Sequence, residues 1–245
     1  MNGTEHFTTR LTKPLEPALA AKVRPTSPSQ SHLLDVPAPL APLLPGGGLR
    51  RGMTVLVEST SGSGGTASLA TALMAVATAS GIWCSAVGDA ASHPLAAVGM
   101  GVNLDRLALV PRPGPRWAEA VYTLLDGMAI VAVRPPAPPS QMVARRLSSR
   151  ARERRAVLLL LPPGSSPPGP ESTMAGKRLA TGSPWPDAPD LRLAISAGIW
   201  ETSGDTSGYL GGRRVEVIAI GRRQATKPVR LPLWLPDSSG AVIPA

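Results

Sequence analysis

Residues 57–67 read VESTSGSGGTA, and they carry the side-chain types that hold phosphate: Gly62, Gly64, Gly65 and the hydroxyl of Thr66. A turn of the form G-x-x-x-x-G-K-[ST] cradles phosphates on backbone N–H groups, sets a lysine on the outer oxygens and offers a hydroxyl to magnesium. With Thr66 as that hydroxyl, Gly64 is the second glycine, Ser59 stands at the first, and Gly65 stands where the lysine belongs. The anion nest is kept and the charge that recognises a triphosphate is lost. The stretch also reads as G-x-G-x-x-A through Gly62, Gly64 and Ala67, with Asp89 as a ribose partner in a dinucleotide site. Ser59, Thr60 and Ser61 count against it, because that motif turns almost at once after its strand. The plainest reading is a Gly-rich connection closing a strand–helix turn, at which a sulfate or phosphate would be unsurprising.

The elements that must position this turn alternate. Strands are expected at 54–58, 82–87, 107–110, 128–133 and 156–161, and helices at 66–80, 94–101, 116–125 and 139–155. Such alternation builds a parallel sheet with crossover helices. Residues 162–189 are too rich in proline and glycine for an ordinary connection and read as a long mobile or functional loop. Three strand-like runs follow at 191–199, 214–220 and 230–235 without helices between them, an antiparallel C-terminal extension. Residues 1–35 are polar and punctuated by proline, a flexible N-terminal arm; 36–245 form the folded domain.

Composition narrows the class. The chain has 245 residues, 43% of them apolar, enough for a sizeable core. Its formal charge of +9 suits nucleic acid or an acidic protein surface as partner. The single cysteine, Cys84, excludes an intramolecular disulfide, which fits a cytoplasmic protein. No apolar run approaches a membrane span, and the N-terminus lacks a signal-peptide core.

Several local matches, in order along residues 40–236, resemble the RecA superfamily. They are GGGLRRG at 46–52 before the first strand, VESTSGSGGTASLA at the phosphate loop, GDAASHP at 88–94 after the second strand and GVNLDRLAL at 101–109 before the third. AIVAVRPPAPP at 129–139 corresponds to the Walker B strand, and ARRLSSRARERRAVLLLL at 144–161 to the helix and strand between the two DNA-binding loops. The resemblance implies a RecA-like fold, and it also exposes three departures. Gly65 stands for the lysine, Ala91 for an acid that orients water, and Arg134 for the aspartate that holds magnesium. With the ending GYLGGRRVEVIAIGRR at 208–223, the pattern is similar to ImuA-type proteins, closest to the actinobacterial ImuA-prime branch. That likeness implies a non-catalytic adaptor without cofactor or metal, acting in damage-induced translesion synthesis. Its implied partner is an ImuB-like inactive relative of Y-family polymerases, and through it an error-prone replicative-type polymerase and a sliding clamp. Two other functions stay open: an ATP- and DNA-binding recombinase-like enzyme or modulator of RecA, and a dinucleotide-binding oxidoreductase.

Outside the turn, Arg145, Arg146, Arg150, Arg152, Arg154 and Arg155 lie on one expected helix with Glu153 as the only acid among them. At about 100° per residue they spread around the helix, so they are either a solvated face or a phosphate or acidic-partner footprint. Lys177 and Arg178 in the long loop, and Arg213, Arg214, Arg222 and Arg223 around the penultimate strand, would extend it. His6, His32 and His93 have no ligand-like spacing, and Asp89 with His93 and nearby serines makes a poor hydrolytic set. Cys84 alternates within a strand as a buried small side chain. Trp117, Trp185, Trp200 and Trp234 read as core or rim, with Trp185 the one expected at a partner surface.

Overall fold

The computed structural model describes residues 32–60, 64–91, 93–163, 185–196, 198–202, 210–221 and 227–245. A short strand β1 (Leu33–Leu34) pairs antiparallel with β2 (Leu49–Arg50), so two residues inside the expected arm belong to the folded body. Between them a 3-10 helix, Ala38–Leu43, buries Leu40 and Leu43. Among the described residues ten further strands form one sheet: β3 (Thr54–Ser59), β4 (Cys84–Val87), β5 (Leu107–Val110), β6 (Ile130–Val133), β7 (Val157–Leu160), β8 (Leu191–Ile195), β9 (Ile199–Thr202), β10 (Leu210–Gly221), β11 (Val229–Trp234) and β12 (Ile243–Pro244).

The order β5-β4-β6-β7-β3-β8 is parallel throughout. From β8 the sheet continues antiparallel through β10, β11 and β12, and β9 pairs with β10 in line with β8. This is the α/β architecture expected, with the antiparallel extension at its C-terminal end. The expected strand at 191–199 is in fact two, because β8 and β9 meet different halves of the long strand β10.

Both faces of the parallel part are covered, which is why its strands are nearly continuous apolar runs. Along β3, Val55 and Val57 enter the core on one face and Leu56 the other; along β7, Val157 and Leu159 alternate likewise with Leu158 and Leu160. The first face receives helix α1 (Thr66–Ala79), and near its end lies α2 (Pro94–Gly99). The second receives α3 (Trp117–Leu124) and α4 (Gln141–Arg154).

Helix α1 is buried almost all round, including Leu69, Leu73 and Met74. Its threonines are tolerated because Thr71 Oγ1 donates to the Ala67 carbonyl at 2.8 Å and Thr78 Oγ1 to that of Ala75 at 2.8 Å. Helix α4 starts at Ser140, whose Oγ accepts from Val143 N at 3.4 Å, and buries Ala144, Leu147, Ser148 and Ala151 at helical spacing. The arginines fall on what remains of its circumference. Arg155 ends the helix in the left-handed region at φ 55°.

Candidate functional site

The turn after β3 leads into α1 through Gly64 (φ 83°) and Gly65 (φ 91°), left-handed conformations that glycine adopts without strain. Gly65 is the N-cap of α1, and Thr66, 5% exposed, is its first residue. Gly62 lies outside the described residues. Two arginines reach this turn, one from the loop after β6 and one from β10.

Arg134 follows β6 and makes a three-pronged set of bonds. Its Nη2 donates to Thr66 Oγ1 at 2.9 Å, its Nε to the Asp89 carbonyl at 2.7 Å and its Nη1 to the Pro162 carbonyl at 3.0 Å. Burial pushes the guanidinium's pKa below its ordinary value, against the opposing pull of the Asp89 charge. Arg213, on β10, is 4% exposed, donates from Nη2 to the Gly64 carbonyl at 3.4 Å and lies over the Trp200 ring at 5.7 Å. Burial lowers its pKa as well. The packing against the turn is close: a Cβ on Gly65 would sit 2.6 Å from Arg213 Nη1.

The three positions singled out by their departures from RecA therefore belong to neighbouring loops at the C-terminal ends of β3, β4 and β6. Arg134 joins the loop after β4 to the start of α1, and Ala91 is half-buried two residues beyond Asp89. This donor set does not suit a magnesium-bound triphosphate. The Thr66 hydroxyl accepts from the Arg134 guanidinium, Arg213 donates to the adjacent Gly64 carbonyl, and among the described residues no carboxylate is bonded to the turn. No hydrogen bond joins the His93 and Asp89 side chains. His93 precedes α2 without a side-chain capping bond, and Asp89 meets Arg134 through its backbone. Among the described residues no group of three or more His, Cys, Asp or Glu side chains could hold a metal, and no helix is long and apolar enough to cross a membrane.

The arginines of α4 divide. Arg150 pairs with Asp126 at 2.6 Å and Glu153 at 3.5 Å, Arg154 shares Asp126 at 3.1 Å, and Arg152 approaches Asp187 at 3.9 Å. Arg146 and Arg150 each lie 4.5 Å from the Tyr122 ring centroid, so a tyrosine on α3 that the sequence reading passed over organises this face. Arg145 and Arg155 are exposed. Arg150, its side chain only 15% exposed, is engaged within the fold. Lys177, Arg178, Arg222 and Arg223 lie outside the described residues, and Arg213, expected to extend the footprint, is buried against the turn.

Two tryptophans change roles. Trp185 is 2% exposed and packs in the core beneath α3 and α4, so it is not a partner-facing residue; a proline-rich neighbourhood misrepresented it as surface. Trp83, which no motif marked, is 44% exposed with Arg106 at 5.2 Å over its ring.

Fold and site together define an α/β protein whose glycine-rich strand–helix turn is packed by the protein's own guanidinium groups. The chain belongs to the MT3502 N-terminal domain family, whose model matches residues 42–167, from the 3-10 helix past the end of β7. It is also 41% identical over 69 residues to "Uncharacterized protein Rv3395c" of Mycobacterium tuberculosis (strain ATCC 25618 / H37Rv), covering 28% of this chain and 34% of that protein. The match thus spans about a third of that relative's length.

Proposed function

We propose that this chain is a RecA-like adaptor that turns over no nucleotide, acting as an ImuA-type component of a damage-induced translesion-synthesis assembly and binding an ImuB-like partner. The observation that carries the non-catalytic part is the bond from Arg134 to Thr66. A cation built into the chain occupies the hydroxyl that a phosphate loop reserves for its metal. The RecA-like part is supported by the placement of the turn on the interior strand β3, with β7 between it and the strand that precedes Arg134. An error-prone replicative-type polymerase and a sliding clamp would then be reached through the partner.

Co-purification tests this reading. The chain is expected to be retained by a tagged ImuB-like protein, and calorimetry with ATP and magnesium is expected to show no heat of binding. A chain that ignores the partner in the pulldown, or that hydrolyses ATP, restores the recombinase-like alternative.

A further inference from the structure

At the opposite end of the parallel sheet from the glycine-rich turn lies a groove of about 380 Å³ lined by Arg51, Trp83, Asp126, Met128, Arg154 and Arg155, among others. The chain ends of three helices meet here: Gly81 follows α1, Leu125 follows α3 and Arg155 follows α4. Their carbonyls supply partial negative charge that helps hold arginines at this end. Among the side chains alone the balance is cationic. Three guanidiniums face one carboxylate, and that carboxylate, Asp126, is already clamped by Arg150 and Arg154. Arg51 takes part in none of the ion pairs formed among the described residues. Beside the charges, the half-exposed face of Trp83 with Ile82 and Met128 offers an apolar wall.

We propose that this groove captures a short acidic segment of a partner protein, with carboxylates on Arg51, Arg154 and Arg155 and an intervening apolar side chain against Trp83. The proposal rests on the adaptor reading and states the chemistry that the partner must present. Asp126 shows the grip in miniature, since one carboxylate there draws two guanidiniums within 3.1 Å. A peptide is favoured over a nucleic-acid strand. The Asp126 side chain, 42% exposed, stands in the path of a continuous phosphate track, whereas peptide carboxylates are spaced by neutral residues. The volume also suits a few side chains, being at the lower end of the roughly 300–1,000 Å³ of small-ligand sites.

Fluorescence anisotropy of the full chain with a labelled peptide alternating aspartate and leucine tests this, against the same peptide with lysine for aspartate and against labelled oligothymidylate. The aspartate peptide is expected to bind and the lysine peptide not. Arg51→Ala and Trp83→Ala should each weaken binding about tenfold, the equivalent of about 1.4 kcal/mol. Arg155→Asn, which keeps a residue tolerant of the left-handed region, should do likewise, and Arg112→Ala, exposed after β5 at the other end of the sheet, should leave binding unchanged. Thermal unfolding of each variant separates lost binding from lost fold, and Arg51→Glu gives a second charge test. Wild-type affinity in the groove variants overturns the proposal, as does oligothymidylate binding that depends on Arg51 and Trp83. A chain that captures an ImuB-like protein yet ignores the acidic peptide overturns the groove and leaves the adaptor standing; peptide binding through the groove without partner capture does the reverse.

Discussion

Arg134 Nη2 lies 2.9 Å from Thr66 Oγ1, so the residue after β6 donates a hydrogen bond to the first residue of α1 across 68 positions of sequence. The same guanidinium holds the loop after β4 and the exit of β7. One side chain fastens four chain segments that in a nucleotide-binding fold would be gathered by a ligand.

Removing that fastener should cost stability directly. Arg134→Leu leaves the partly buried Pro162 carbonyl and Thr66 hydroxyl without this donor, at about 1–3 kcal/mol each, while the exposed Asp89 carbonyl turns to water. A lower urea midpoint is expected, and added ATP with magnesium should not restore it. Rescue by the nucleotide would mean that the site still accepts the ligand Arg134 replaces.

Gly65→Lys tests the turn itself. A lysine here supplies the charge the sequence lacks, but Gly65 sits at φ 91° with Arg213 Nη1 2.6 Å from its would-be Cβ. A side chain there meets backbone strain of about 1–3 kcal/mol and sets a second cation beside a buried one. The variant should melt at lower temperature than wild type, with no phosphate release and no gain in phosphate binding. Adding Ala91→Glu and Arg134→Asp should not produce turnover while Arg213 remains. Hydrolysis by wild type or single mutant would overturn the non-catalytic reading.

Asp126 predicts an acid limit. Its hydrogen bond from Arg150 holds its pKa below the ordinary carboxylate value of 3.8, with Arg154 adding to the pull. A folded pKa below the unfolded one gives stability that is complete above the unfolded value and lost as pH falls through the folded one. Melting temperature should therefore drop below about pH 4, and Asp126→Asn should flatten that part of the profile while leaving its own deficit at neutral pH. An identical acid slope in the variant would assign the limit to other carboxylates.

Cys84 is buried at the start of β4, and burial pushes its thiol up to about 12. Thiolate is the reactive form, so the native protein should resist a disulfide reagent at mildly alkaline pH. Reaction should become rapid and stoichiometric in denaturant. Fast modification without denaturant would place Cys84 in an open environment and contradict the packing of β4.

The parallel part of the fold was legible because each strand buried on both faces is an unbroken apolar run, and IVAV at 130–133 and VLLL at 157–160 admit few other readings. The split of 191–199 was not, since a strand's end is set by its partner's register and β10 had none until folded. The arginines on the turn were half legible. Arg134 was visible as a wrong charge in a slot, but its role as a hydrogen-bonding fork depends on the carbonyls of Asp89 and Pro162, which carry no sequence signal. Arg213 had a signal that was passed over. In GGRRVEVIAI the buried Val215, Val217 and Ala219 fix the inward parity of β10, and Arg213 shares it while Arg214 does not. On α4, helical periodicity gave the buried stripe but not which arginines Tyr122 and Asp126 would claim from another helix.

The position of β3 also sets a timetable for synthesis. Its two neighbours, β7 and β8, come from residues 157–160 and 191–195, and the bond from Thr60 Oγ1 to the Ile195 carbonyl closes a separation of 135 residues. While the chain is emerging from the ribosome, TVLV at 54–57 has both hydrogen-bonding edges open until most of the protein has been made. Long-range pairing of this kind is slow and leaves apolar strand edges exposed to other chains. β3 is accordingly the segment that a nascent-chain chaperone has most reason to shield, and the strand around which inclusion bodies would nucleate if translation outran protection.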